Sequence, residues 1–141
     1  MFQPCIAVFT LIFSFLTIST TRPTVLPAPP PPTLISPVNG AIMDNGCKPK
    51  AEGISWDFDW SDVPGATSYQ IRVWRNPALP LINNVNVLTS SYHYGPPSSA
   101  HIVNANLNGW RWMVRAKVAG AWGPWSAPRW FKVEKLNTDC P

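Results

Sequence analysis

The chain has 141 residues, 45% of them hydrophobic and 13% charged, with 17 prolines, 8 tryptophans, 3 cysteines and a formal net charge of +4. That length suits one ordinary domain with a modest core, and so many prolines exclude a largely helical protein, because each fixes φ and removes a backbone donor. The 11 lysines and arginines are scattered with no basic run, which argues against a phosphate-tracking nucleic-acid surface.

Ile6 to Ile18 is almost wholly apolar and ends at Ser19, Thr20 and Thr21. A run of that length matches the hydrophobic region of a secretory signal and falls short of a bilayer span, which takes about 20 residues. Residues 1–19 are therefore read as a signal peptide cut after Ser19, with Thr17 and Ser19 as the small residues. An uncleaved anchor is the alternative, because Met1 to Cys5 carry no Lys or Arg. The mature chain is expected to be secreted or held at the cell envelope, with no transmembrane helix. Cys5 precedes the apolar run, the wrong side for a lipid-anchoring cysteine. Residues 20–32 form a proline-rich linker in which Pro29 to Pro32 favour polyproline II, a stiff spacer. As a ligand for cytosolic proline readers it would be on the wrong side of a membrane.

Removal of the signal leaves Cys47 and Cys140, which in an exported protein read as a disulfide, two separate buried thiols being the alternative. No metal or other cofactor is expected. Neither cysteine lies in a C-x-x-C pair, and His93 and His101 have no carboxylate close in sequence.

The body of the chain alternates with the period of a strand. Ile54, Trp56, Phe58 and Trp60 occupy every second position, with Ser55, Asp57 and Asp59 between them, so one face is buried and the other wet. Pro64 and Gly65 punctuate a turn, after which Tyr69, Ile71 and Val73 point inward. Farther on, Trp110, Trp112, Val114 and Ala116 share one face, and Arg111, Met113 and Arg115 the other; Phe131 and Val133 close the series. The core is expected to contain Trp56, Phe58, Trp60, Tyr69, Ile71, Val73, Trp112, Val114, Phe131 and Val133. Short strands between Gly, Pro and Asn turns describe an all-β sandwich.

LISPVNG, then WSDVPGATSYQIRV, then W-x-V-R-A and G-x-W-G-P-W-S-x-x-R-x-F-x-V together resemble a fibronectin type III domain of the kind found in exported bacterial proteins. The resemblance covers Thr33 to Leu136, within a domain placed at residues 33–136 and followed by a tail at 137–141. It implies an immunoglobulin-like antiparallel sandwich of about seven strands, with Trp60 and Trp112 as core anchors and Tyr69 opening the third strand. TSSY, Thr89 to Tyr92, suggests the fifth, and the strand order between residues 76 and 106 stays open. The resemblance also puts the loop between the first two strands and the end of the last strand at one pole, where Cys47 and Cys140 can meet.

Trp122, Gly123, Pro124, Trp125 and Ser126 are similar to the W-S-x-W-S box of cytokine-receptor domains, with Gly123 in place of the first serine. The resemblance implies a structural ladder in which Trp122 and Trp125 interleave with Arg111 and Arg115 of the neighbouring strand. Planar guanidinium groups suit such stacking. A ligand platform is the alternative.

No phosphate loop, nucleophile elbow or H-E-x-x-H is present, and Asp57 and Asp59 read as the solvated face of a strand, so an enzyme is not expected. Two functions survive: an exported adhesion or protein-interaction module that binds an extracellular or cell-surface protein, and a carbohydrate-binding sandwich that offers Trp74, Trp130 or an unstacked Trp122 to a polysaccharide.

Overall fold

A computed structural model describes residues 28–95 and 100–140. The signal-peptide reading at 1–19, Cys5 and the first part of the proline-rich linker lie outside the described residues.

Among the described residues nine strands follow in order: β1 (Leu34–Ser36), β2 (Ala41–Met43), β3 (Trp56–Trp60), β4 (Ala66–Trp74), β5 (Ile82–Val87), β6 (Ser91–Tyr94), β7 (Trp110–Val118), β8 (Ala121–Trp122) and β9 (Arg129–Val133). A single turn of 3-10 helix at Asn104–Asn106 is the only helix among the described residues. One sheet has the order β1-β3-β6; the other runs β2-β9-β7-β4-β5, with β8 also on β7. Every pairing is antiparallel except β2 with β9. β1 and β2 are two halves of one segment that changes sheet through the turn at Pro37 to Gly40, and β8 is a two-residue extension of the β7 hairpin. Counted that way the fold is a fibronectin type III-like sandwich of seven strands. Its middle segment supplies β5 beside β4 and β6 beside β3, which fixes the order that the sequence left open.

Every residue read as core from the alternation is buried, joined by Leu34, Ile54, Val63, Ile82, Val87, Trp110 and Ala116. The centre is Trp56, fully buried, with ring centroids 5.4 Å from Phe131 and 5.7 Å from Trp110, both edge-on. Its Nε1 donates to the Asp44 carbonyl at 2.6 Å. Edge-on pairs of this kind each contribute about 0.5–1.5 kcal/mol beyond their burial. Trp60 packs on Tyr69 at 5.6 Å, and the Tyr69 hydroxyl accepts the Val63 N–H at 3.0 Å, pinning the β3–β4 turn to the core.

At one pole, the β2–β3 loop, the 100–106 segment and the tail are zipped together. Cys47 and Cys140 form a disulfide with Cα atoms 6.2 Å apart across 93 positions of sequence, within the usual span of such a bridge. Lys48 N donates to Asn137 O, and Asn137 N to Gly46 O. The fully buried Asn45 bonds Ile102 twice, through Nδ2 to the carbonyl and through Oδ1 from the N–H.

The described end of the proline-rich linker is seated on the sandwich. Pro29 is half-buried and Pro32 buried, whereas Ala28, Pro30 and Pro31 are exposed; this is the three-residue period of polyproline II with one face against the domain. Thr33 and Ser61 exchange two hydrogen bonds, leading the linker into β1.

Candidate interaction surface

The outer face of the larger sheet carries the tryptophans outside the core. Its geometry follows from one hairpin. β7 turns at Ala119 and Gly120, both at positive φ, and returns in register Lys117↔Trp122 and Val118↔Ala121. The next residues do not continue as a regular strand, because Pro124 offers no N–H. Instead Gly123 N donates to Ala116 O at 2.8 Å, Ser126 N donates to Val114 O at 2.8 Å, and the Ser126 hydroxyl accepts Val114 N–H at 3.1 Å. Ser126, buried, stands in for a missing backbone acceptor and keeps the edge of β7 paired until β9 begins.

That path lays both indoles over one cation. The Arg115 guanidinium is 4.8 Å from the Trp122 ring and 4.6 Å from the Trp125 ring. One guanidinium thus serves both indoles. Arg115 Nε also donates to Gln70 Oε1 at 2.8 Å, and Gln70 Nε2 to Asn83 Oδ1 at 2.7 Å, which carries the row across β4 to β5. Lys117 Nζ reaches Trp122 at 5.7 Å.

Arg111 is not part of this stack, contrary to expectation. It sits four residues back along β7, about 13 Å away at strand rise, exposed and in register with Trp74 on one side and Trp130 on the other. The hairpin register brings Lys117 to Trp122 instead, a relation that depends on the turn and not on the alternation. Trp74 also departs from its reading as an accessible platform: it is only 9% exposed, with the Arg72 guanidinium 5.6 Å over its ring and Arg72 Nη2 bonded to the Pro77 carbonyl. The Pro77 carbonyl, in the loop after β4, thus helps hold Arg72 over the ring.

Trp130 is different. It is 45% exposed, and its six-membered ring lies on Gly40: a Cβ built at that glycine would stand 3.1 Å from Cη2 and 3.3 Å from Cζ2. Gly40 has φ +85°, which together with the missing side chain lets the backbone serve as a flat seat. Gly40 N donates to Trp130 O at 2.8 Å, and Trp130 N donates to Asn39 Oδ1 at 3.0 Å. Arg129 Nη1 ties the same turn down through the Ile35 and Pro37 carbonyls. One face of the indole is thus fixed and the other meets solvent. Ile42, 70% exposed, projects from β2 on the same face, and Val38, 63% exposed, stands in the adjoining turn.

On the opposite sheet His93 and Asp57 face each other across β6 and β3, Nδ1 to Oδ1 2.7 Å, both exposed. The sequence concealed this pair because its members are 36 positions apart. Asp59 lies opposite Ser91. A cleft at the disulfide pole is lined mainly by polar residues such as Asp44, Glu52, Ser55 and Asn137. Among the described residues no three His, Cys, Asp or Glu side chains gather as a metal set, and no helix is long and apolar enough to cross a membrane.

No family model matches the chain, and no curated protein matches it. Among solved structures it is similar to an Fn3-like protein from Clostridium thermocellum, at 18% identity with a TM-score of 0.47, over 79% of this chain and 99% of that one.

Proposed function

We propose that the protein is a non-catalytic interaction module of an oxidising compartment, and that it binds a protein surface through the patch centred on Trp130. The observation that carries this reading is the single open indole. Among the described residues Trp130 is the one exposed tryptophan, held rigid by Gly40 and bordered by Ile42, Val38 and Arg111. Tryptophan and arginine dominate the energetics of protein interfaces, and an anchor already fixed in place loses little entropy on binding. The disulfide fits a location outside the reducing cytosol. The non-catalytic reading is supported by His93, whose imidazole is paired with Asp57 on a flat, exposed sheet and not in a cleft.

A polysaccharide partner is the second reading, favoured by the flat free face of Trp130. Against it stands the covering of Trp122 and Trp125 by Arg115, and of Trp74 by Arg72, which leaves no line of rings for successive sugars. A benzophenone cross-linker placed at Ile42 should give discrete protein adducts on the surface of exporting cells, lost with Trp130→Ala, while the same group at Asp57 should give none. Equal labelling from both positions would refute the assignment. Retention on insoluble polysaccharide, lost with Trp130→Ala, would replace it by the second reading.

A further inference from the structure

Charge is divided between the two sheets. The strands of the larger sheet carry Arg72, Arg111, Arg115, Lys117, Arg129 and Lys132 and no Asp or Glu, whereas those of the smaller sheet carry Asp57 and Asp59 and no Lys or Arg. All of these cations but Arg129 alternate with the core residues of their strands and so belong to the outer face. Pairing within the chain does not account for the division: the one ion pair among the described residues is that of His93 with Asp57, so no carboxylate of this chain balances a cation of the larger sheet.

Most of these cations are engaged by neutral groups: Arg115 and Lys117 by indoles, Arg72 by Trp74, and Arg129 by the Ile35 and Pro37 carbonyls. Arg111 and Lys132 are not. Both are exposed, and the side chain of neither makes a hydrogen bond, ion pair or ring contact among the described residues. Both also border Trp130. Arg111 stands across from it on β7, where opposite Cβ atoms are about 5 Å apart. Lys132 follows two positions along β9 on the same face, about 7 Å on, and is in register with the exposed Ile42. The first carboxylate in that direction, Glu134, lies past the end of β9 and pairs with neither.

We infer that the protein surface bound at Trp130 is acidic: it sets one carboxylate on Arg111 and another on Lys132, around an apolar or aromatic group that lies on the indole. This rests on the reading of Trp130 as a protein-binding anchor and adds the chemistry of what the anchor meets. A planar guanidinium takes a carboxylate through two parallel hydrogen bonds, and a basic partner would meet like charge across the whole face. Complementarity of this kind speeds encounter and rejects wrong partners more than it adds affinity, so the indole remains the anchor. The division of charge also orients the domain, because Asp57 and Asp59 lie on the opposite sheet and are repelled by the surface that attracts Arg111 and Lys132.

A random copolymer of glutamate and tyrosine, titrated into the isotope-labelled, disulfide-bonded exported chain, tests this, with the indole N–H of Trp130 followed by NMR. The copolymer should bind and shift that signal, a lysine–tyrosine copolymer should not, and about 1 M salt, where the Debye length is about 3 Å, should release it. Arg111→Gln with Lys132→Gln should weaken binding by about tenfold or more and leave the melting curve unchanged. Lys48→Gln with Lys50→Gln removes the same charge at the disulfide pole and should bind as the parent does. Equal weakening by the two pairs, or no weakening by either, overturns the inference. So does capture of polygalacturonate in place of the copolymer, which would assign the face to an acidic polysaccharide. The cross-linker at Ile42 separates this inference from the reading beneath it. Adducts lost with Trp130→Ala and also with Arg111→Gln plus Lys132→Gln support both; adducts lost only with Trp130→Ala would keep the protein partner and refute its acidity. If the parent gives no adduct, the protein partner itself is refuted, and its acidity with it.

Discussion

Replacing Arg115 by alanine removes more than a surface charge. The side chain lies within 4.8 Å of both Trp122 and Trp125 and donates to Gln70 at 2.8 Å. Each cation–π contact contributes about 0.5–1 kcal/mol at an exposed site and up to about 2 when desolvated. A hydrogen bond from a charged donor adds about 1.5–3 kcal/mol. Gln70 is only 7% exposed, so the orphaned Oε1 is poorly placed to recruit water. Arg115→Ala should thus cost about 2.5–5 kcal/mol, and Trp122→Ala about 1–2 kcal/mol, of which about 0.5–2 is the shared contact. In urea denaturation followed by near-UV circular dichroism, the double variant should therefore lose about 0.5–2 kcal/mol less than the sum of the singles. Arg111→Ala is the control, expected within about 0.5 kcal/mol of the parent as an exposed substitution. Full additivity of Arg115→Ala and Trp122→Ala would show that the indole and the guanidinium are merely neighbours, and would free Trp122 to act as a platform.

Closing the 93-residue separation between Cys47 and Cys140 should stabilise the fold by about 4.6 kcal/mol in the chain-entropy limit; Cys47→Ser with Cys140→Ser should lower the denaturation midpoint accordingly, and two alkylatable thiols in native exported protein would rule the bridge out. Burial, and then the neighbouring Tyr92, holds the Tyr94 phenol above its usual value of 10.0. The neutral form is therefore favoured in the fold, so stability should be intact below pH 10 and fall as pH rises through the folded value; Tyr94→Phe should move the alkaline unfolding midpoint upward, and an unmoved midpoint would exclude Tyr94 as the cause. Gly123→Val should dislodge Pro29, whose Cγ would lie 3.1 Å from the new Cβ, and cost about 1–3 kcal/mol; deleting residues 20–31 in that background should then cost nothing further, whereas a second loss would show that the linker is held elsewhere.

The core was legible because its residues on β3, β4, β7 and β9 recur at every second position, and a period of two states which side chains meet inside. β5 was not. INNVNV has three asparagines and no clean alternation, and it is a strand because β4 offers it an unpaired edge. The stack on Arg115 could be read from W-G-P-W-S only as far as the residue types; which cation lies against which indole is set by the turn at Ala119 and Gly120, a matter of register that composition does not carry. Gly123 read as a departure from a serine pattern, yet its reason lies in space: a side chain there would meet the linker. The solvent exposure that separates Trp130 from Trp74 depends on the Pro37 to Gly40 turn, far in the chain from the ring it seats, and on the Arg72 guanidinium, a neighbour of Trp74 whose position over the ring only the folded chain reveals.

The disulfide also decides which parts of the molecule can bear load. Tension applied upstream of Pro29 and downstream of Cys140 runs along the proline-rich linker, through β1 and β2 to Cys47, and then crosses the sulfur bridge. Strands β3 to β9 all lie inside the covalent loop between the two cysteines and cannot be drawn out while it is closed. Pulling would detach Pro29 from Gly123, break the Thr33–Ser61 pair and peel β1 and β2 away, and extension would stop there. The ladder on Arg115 and the ring of Trp130 ride on strands that the pull bypasses, although Trp130 would lose its seat as Gly40 left with the peeled segment. Under tension the domain would thus yield by a short, defined length and keep its sandwich folded.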